Sequence, residues 1–227
     1  MATVKKRRRA AEPAGRGDAS MRKFERHLPA TRRQALIDAT LRCLAREGHD
    51  GLSVRRIATE AGVSLGLMNH HFPSKVSLVA AAYRHLHAKL SEALRERIAA
   101  AGTAPRDRLA AYLAASFSPP NLDPDVLSVW VVFWSMSRHT AEISAVHNET
   151  YRASLDALII LFADLADAEG LAGTDPRLAA IALTALTDGL WLEWCLNSDT
   201  FSPSEAIALC QASIDAFTAP GGKPRRS

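Results

Sequence analysis

The sequence predicts an all-α protein, with an N-terminal three-helix domain containing a helix-turn-helix and a larger C-terminal helical domain. Apolar residues recur at steps of three and four, as in Ile37, Leu41 and Leu44. Helix starts are announced repeatedly by a capping side chain with proline at the first helical position, in Asp123-Pro124, Asp175-Pro176 and Ser202-Pro203. Two short stretches on either side of Gly62 have the length and spacing of helices that meet at a steep angle. No segment requires a strand.

Taken in chain order, Thr31 with Gln34 has the spacing of a capping box and opens a helix over 32–47. Gly48 ends it, and Asp50-Gly51 turns the chain before Ser53, an N-cap for a short helix with Val54, Ile57, Ala58 and Ala61 on one face. Gly62 tolerates the positive φ that the next turn needs, and Val63 is its apolar plug. Ile57 and Ala58 fill the angle between the two helices. Ser64 caps a third helix over 65–71 and leaves its first backbone N–H groups facing outward, where they and the helix dipole favour a phosphate. Pro73-Ser74 starts a long helix over 75–100, and further helices follow near 105–117, 124–139, 141–168, 176–196 and 203–217. The helix at 176–196 is apolar nearly all round, through Leu178, Ile181, Leu183, Leu186, Leu190 and Leu192, so it must be covered on more than one side. A subunit interface would do that. The expected organisation is a basic flexible arm over 1–28, a head over 29–76, a body over 77–218 and a flexible tail over 219–227.

With 227 residues, 48% of them hydrophobic, the chain can bury a sizeable core in one or two domains. No uninterrupted apolar run reaches the roughly 18–20 residues that cross a bilayer, and the stretch from Leu155 to Leu165 is broken by Asp156 and Asp164, so no membrane partner is expected. After the basic run at 5–9 come Glu12, Pro13 and Asp18, where a secretory signal needs an apolar segment; the expected location is the cytoplasm. Cys43, Cys195 and Cys210 are widely spaced in apolar helical surroundings and read as reduced thiols. The net charge of +4 is unevenly placed, because residues 1–33 carry eleven Lys or Arg against three acidic residues. Such an arm suits approach to a polyanion and release of its counterions, and a solvated tail without a partner is the alternative for residues 1–20. There is no Gly-rich phosphate loop, no His-Glu-x-x-His spacing and no nucleophile elbow, so neither an enzyme nor a cofactor is expected. His70 and His71 point about 100° apart with no third ligand nearby, which argues against a metal.

The segment VRRIATEAGVSLGLMNHHFPSK, at 54–75, resembles the DNA-binding motif of the TetR family of repressors, with its Ala-Gly-Val-Ser turn and His-Phe-x-x-Lys close. The resemblance implies that the helix at 65–71 lies in the major groove of operator DNA, with Gly66 letting the backbone approach closely. Arg55 stands where the family often has a base or phosphate contact, and Asn69 could read adenine through a paired donor and acceptor. Leu65 and Leu67 become candidates for thymine methyl contacts. Ser53, His70, His71 and Lys75 are assigned to phosphates, which fix register without reading sequence.

In the C-terminal half, Trp130, Phe133 and Trp134 share a helical face, and Asp188, Trp191 and Trp194 recur at three-residue intervals. Four tryptophans with carboxylates nearby suggest a cage for an organic cation, since a quaternary ammonium offers no N–H and is held by aromatic faces and a negative charge. The same pattern also fits a packed core in which Asp188 accepts a hydrogen bond from a neighbouring helix. The stretches WVVFWSMSRH and ALTDGLWLEW resemble BetI-type regulators, a likeness extending over 25–218. Members of that subfamily repress genes for choline uptake and its oxidation to glycine betaine, and choline relieves the repression. The resemblance thus implies a quaternary-amine effector held by Trp130, Phe133, Trp134, Asp188 and Trp191. It also implies a homodimer, formed through 176–196 and 203–217, whose small residues Ala179, Ala180, Ala182 and Ala185 allow close helix approach. A repressor of efflux or other metabolic genes answering a different hydrophobic or cationic ligand stays open.

Overall fold

The computed structural model describes residues 18–171 and 173–218; the basic run at 5–9 and the tail at 219–227 lie outside the described residues. Among the described residues there are nine α-helices and no strand: α1 (Asp18–Glu47), α2 (Val54–Glu60), α3 (Leu65–His71), α4 (Lys75–Ala100), α5 (Pro105–Ser116), α6 (Pro124–Ser137), α7 (Ala141–Glu169), α8 (Pro176–Leu196) and α9 (Pro203–Thr218). The capping chemistry read from the sequence sets most of the starts. Ser53 accepts from the N–H of Arg56 and Ser64 from that of Leu67, while Ser74 and Ser77 bond reciprocally. Asp123 and Asp175 each take two backbone N–H groups ahead of a proline, and Ser202 forms a capping box with Glu205. The start of α1 differs. It begins at Asp18, so the capping box expected at Thr31 and Gln34 does not form, and the part of the expected arm at 18–28 is helical. Pro29 lies inside α1 two residues before Thr31, and helix propensity does not account for the turns that precede it.

The helices enclose two cores. The upper one joins α1 to α4 with α6 and the start of α7: Leu36, Ile57, Met68, Phe72, Leu78, Tyr83, Trp130, Phe133, Ile143 and Val146 belong to one continuous buried cluster. The lower one gathers Leu109 and Leu113 of α5, Phe162 and Leu165 of α7, Ala180 and Leu183 of α8, and Cys210 and Ile214 of α9. The head is therefore not a bead on a linker, because the side chains that hold α2 and α3 in place are continuous with those of α6. All three cysteines are free thiols, Cys43 and Cys210 buried and Cys195 half-buried.

Helix α8 packs on α7, α9 and α6 with one face and leaves the other open. Ala179 and Ala180 point into the protomer's own core, which corrects their expected place at a subunit interface: they fall on the inward side of the helix period. The outward stripe is Leu178, Ala182, Ala185, Gly189, Leu192 and Leu196, at alternating steps of four and three, with Leu196 71% exposed. On α9, Leu209 is 52% exposed. Among the described residues α8 alone has the length and apolar composition to cross a membrane, which a scan for uninterrupted apolar runs overlooks.

The turn between α2 and α3 is closed by Val63 N–H donating to Ala58 O at 2.9 Å and Gly62 N–H to Thr59 O at 3.1 Å, with Gly62 at φ +66°. A Cβ at Gly62 meets nothing within 4 Å, so a substitution there is strained by backbone conformation alone. Gly62→Ala is expected to lower the free energy of unfolding by about 1–2 kcal/mol. Gly66, at ordinary φ in open space within α3, should tolerate alanine and gain up to about 1 kcal/mol. Urea denaturation of the two variants checks the pair, and equal effects would contradict the left-handed turn.

Candidate nucleic-acid interface and effector site

The head presents its third helix by bracing the second. Arg42 and Arg46 of α1 both donate to the Glu60 carboxylate, at 2.7 and 2.6 Å, and those bonds hold Glu60 below the usual carboxylate range. Arg56 pairs with Glu47 and also donates to the Gly51 carbonyl. Arg55, two residues into the same helix, is exposed and forms no ion pair among the described residues. Its guanidinium faces a cleft of about 840 Å³ lined also by Arg46, Glu47, Ser53, Arg56, Thr59 and Glu60. Three arginines thus hold the scaffold, and the Arg55 guanidinium is left exposed beside them.

On α3, Met68 is buried while Leu65, Gly66, Asn69 and His70 are exposed and Leu67 is half-buried. These outward positions form one presentable face. The Ser53 and Ser64 hydroxyls serve as caps, each accepting one backbone N–H at 3.2 Å. His71 is turned inward, with Nε2 buried and without a partner, so a phosphate contact there requires the ring to rotate. Lys75 donates one N–H to the Leu52 carbonyl at 3.2 Å, which ties the start of α4 to the turn before α2 and leaves two donors. Sequence reasoning passed over Arg33, whose guanidinium lies 4.9 Å above the Phe72 ring and fixes the end of α3 against α1.

In the body, the residues proposed for a ligand cage are divided between the two cores. Trp130 and Phe133 are buried in the upper core and Trp134 packs on its edge. Trp191 packs on the lower core, where its indole N–H donates to the Ser116 carbonyl at 3.0 Å, and Trp194 tilts against Phe201. Asp188 stands at the junction. Its negative charge helps to raise the pKa of two phenols, Tyr83 in the upper core and Tyr112 against the lower one. Burial, the first cause in both cases, takes the Tyr83 hydroxyl to about 12. Asp188 itself forms no ion pair and no hydrogen bond among the described residues, and burial pushes its carboxyl up to about 6. Tyr83 is the hub of the aromatic group. It stacks on Phe133 with ring centroids 4.2 Å apart, meets Trp130 edge-on at 5.2 Å and shares a 2.9 Å hydrogen bond with Nδ1 of His147. Neither Tyr83 nor Tyr112 was singled out from the sequence. They are two of only three tyrosines in the chain, and their rarity inside long aliphatic helices was the available signal.

Residues 36–82 match the family described as bacterial regulatory proteins, tetR family, and residues 105–219 match the BetI-type transcriptional repressor C-terminal family. The HTH-type transcriptional regulator BetI of Burkholderia thailandensis is 35% identical over 189 residues, 83% of this chain and 94% of that protein. A transcriptional regulator from Pseudomonas aeruginosa PAO1 superposes with a TM-score of 0.81 at 42% identity, covering 87% of this chain and 95% of its own. A regulator from Saccharomonospora viridis, crystallised in complex with choline, shares the fold with a TM-score of 0.68 at 24% identity, covering 81% of this chain and 95% of its own.

A carboxyl whose value rises from 3.8 to about 6 on folding binds its proton more tightly in the native state. Its contribution to stability is therefore complete below about pH 4 and is lost as pH rises through 6. Asp188→Asn removes the buried charge, so its unfolding free energy should exceed the parent's above pH 7 by on the order of 3 kcal/mol, with the excess vanishing below pH 4. Thermal melts across that range check the sign. A variant less stable than the parent at pH 8 would show that Asp188 has a cationic partner.

Proposed function

This chain belongs to the TetR family of bacterial regulatory proteins and is a BetI-type repressor, and from that premise we propose that a quaternary amine of the choline class, seated at Asp188, releases it from operator DNA. Family members bind operator DNA and form dimers, and the chain is a transcription regulator and not an enzyme. The observation that carries the effector reading is the half-buried Asp188 carboxylate, without an ion pair or hydrogen bond among the described residues, in electrostatic range of Tyr83 and its aromatic neighbours. A charge in that position is costly until a cation joins it, and a cation without N–H groups is satisfied by a carboxylate and ring faces. The fold neighbour crystallised with choline makes choline the first ligand to test. In this reading Trp130 and Phe133 border the cation with Tyr83 and Tyr112, while Trp134 and Trp191 support the walls.

The proposed DNA-reading set is Arg55, Leu65, Gly66, Leu67 and Asn69, with Ser53, Ser64, His70, His71 and Lys75 on phosphates. A dimer must hold its two recognition helices about 34 Å apart to enter successive major grooves on one face of the duplex. The outward stripe of α8 and Leu209 of α9 supply the proposed seam, since small residues between leucines let two helices approach closely. A cytoplasmic location follows from the DNA partner. Release by a hundredfold requires about 2.7 kcal/mol of coupling, and the same linkage makes DNA weaken effector binding equally.

Arg55→Ala should weaken binding to the DNA upstream of the chain's own gene by about 1–3 kcal/mol and relax one base position, whereas Lys75→Ala should weaken all sequences alike and flatten the salt dependence. Fluorescence anisotropy at several salt concentrations separates the two. Unchanged affinity in both variants would place the DNA face elsewhere. With the parent protein on the same DNA, choline should lower affinity while an uncharged isostere does not, and a protein that neither releases DNA nor gains thermal stability in excess choline would refute the effector assignment.

A further inference from the structure

The middle of α4 carries an unusual concentration of polar contacts to other helices. Tyr83 bonds His147 of α7 at 2.9 Å, Arg84 donates to Glu149 of α7 at 3.1 Å, and His87 meets the Ser154 hydroxyl of α7 at 2.9 Å. His85, between them, turns the other way and accepts an N–H from the Gln34 amide of α1 at 3.0 Å, while the second Gln34 N–H goes to Asp38 at 2.8 Å. Helical geometry explains the division. Residues 83 and 87 share one face at i and i+4, and residue 85 lies on the opposite side. One turn of α4 thus grips the body with one face and the head with the other. It lies about 12 Å along the helix from Lys75, where α4 meets the turn before α2.

Tyr83 is the member of this turn that also faces the effector site. Its ring is sandwiched in the upper core and its hydroxyl lies within electrostatic range of Asp188. We infer that the Tyr83 hydroxyl bond to His147 is a positioning clasp: it holds α4 against α7 in the DNA-binding arrangement, and occupation of the Asp188 site disengages it, letting the turn at 83–87 carry α1 and the head with α4. The inference rests on the Asp188 effector reading above. Neutralising Asp188 with a cation changes the field at the phenol, and inserting a ligand beside a ring stacked at 4.2 Å displaces either the ring or its partner. Both changes act on the same bond. Of the α4 contacts to α7, those of Arg84 and His87 are on the exposed rim, whereas Tyr83 is 1% exposed, so its geometry is the least able to adjust gradually.

The test uses the full chain, DNA from upstream of its own gene, and choline. Tyr83→Phe keeps the stack and deletes the hydroxyl with its contacts to both His147 and the Thr150 hydroxyl, and His147→Ala deletes the first of these partners. For the parent, saturating choline should lower DNA affinity by about tenfold or more. His147→Ala should still bind choline, by calorimetry, at least as tightly as the parent, and both variants should bind DNA more weakly than the parent without choline and change by less than about twofold when it is added. The double variant should behave like Tyr83→Phe, because that substitution already removes the bond to His147. A merely structural role would alter stability without separating ligand affinity from release. Parental release in Tyr83→Phe, or additive losses in the double variant, would overturn the clasp. Loss of choline binding in His147→Ala would also overturn it, making His147 a ligand contact. A parent that keeps its DNA in choline overturns the effector reading and the clasp together, and that outcome is distinct from release by both parent and variant.

Discussion

A half-buried carboxylate between two helical cores, without an ion pair or a hydrogen bond among the described residues, has two ways to lower its cost: it takes up a proton, or it pairs with a positively charged guest. Asp188 is in that position. Hydrophobic packing alone would have filled the site more stably with leucine or asparagine, so the charge is a cost that burial elsewhere in the two cores offsets. The consequence is selectivity by charge. An apolar ligand gains nothing from the carboxylate, and an anion is repelled, whereas a cation relieves the strain that the fold has built in. The phenols of Tyr83 and Tyr112 and the ring faces of Trp130 and Phe133 give such a cation a weakly hydrated surround in which the Coulombic attraction is not screened away.

The path from that site to the DNA face is short because the protein lacks a hinge between them. The upper core runs without interruption from Phe133 and Trp130 through Tyr83 and Leu78 to Phe72, Met68 and Ile57. A close-packed interior responds to a displaced ring by switching arrangements and not by yielding smoothly. Gly62 and the arginine pairs on Glu60 and Glu47 keep α2 and α3 rigid relative to each other, so a movement of α4 shifts the recognition helix as a unit. Rigidity within the head and continuity of the core fit the mechanism proposed above, in which the separation of two recognition helices changes across a dimer.

Much of this was legible in the residues. Capping pairs such as Ser74 with Ser77 and Asp175 with Pro176 act locally, so helix starts could be read with little knowledge of the rest. The turn at Gly62 was legible for the same reason. What escaped was set by tertiary placement. The start of α1 lies at Asp18, ahead of both Pro29 and the capping signal at Thr31, and no local signal announces it. Ala179 and Ala180 fit an interface by size, and only the packing of α8 shows that they face inward. Tyr83, Tyr112 and His147 come from three helices and share no spacing, so no pattern could assemble them; the tryptophans, grouped in sequence, turned out to be divided between two cores. The helical period of α8 put Asp188 beside Trp191 in the sequence, whereas the phenols it acts on, Tyr83 and Tyr112, are on other helices.

The central claim is that an organic cation meets a carboxyl which is half protonated near pH 6. Calorimetric titration with choline in two buffers of different ionisation enthalpy measures the protons exchanged on binding. A cation seated against Asp188 should release about half a proton at pH 6 and almost none at pH 8, where the carboxyl is already charged. Binding with no proton release at either pH would contradict a site built around that residue.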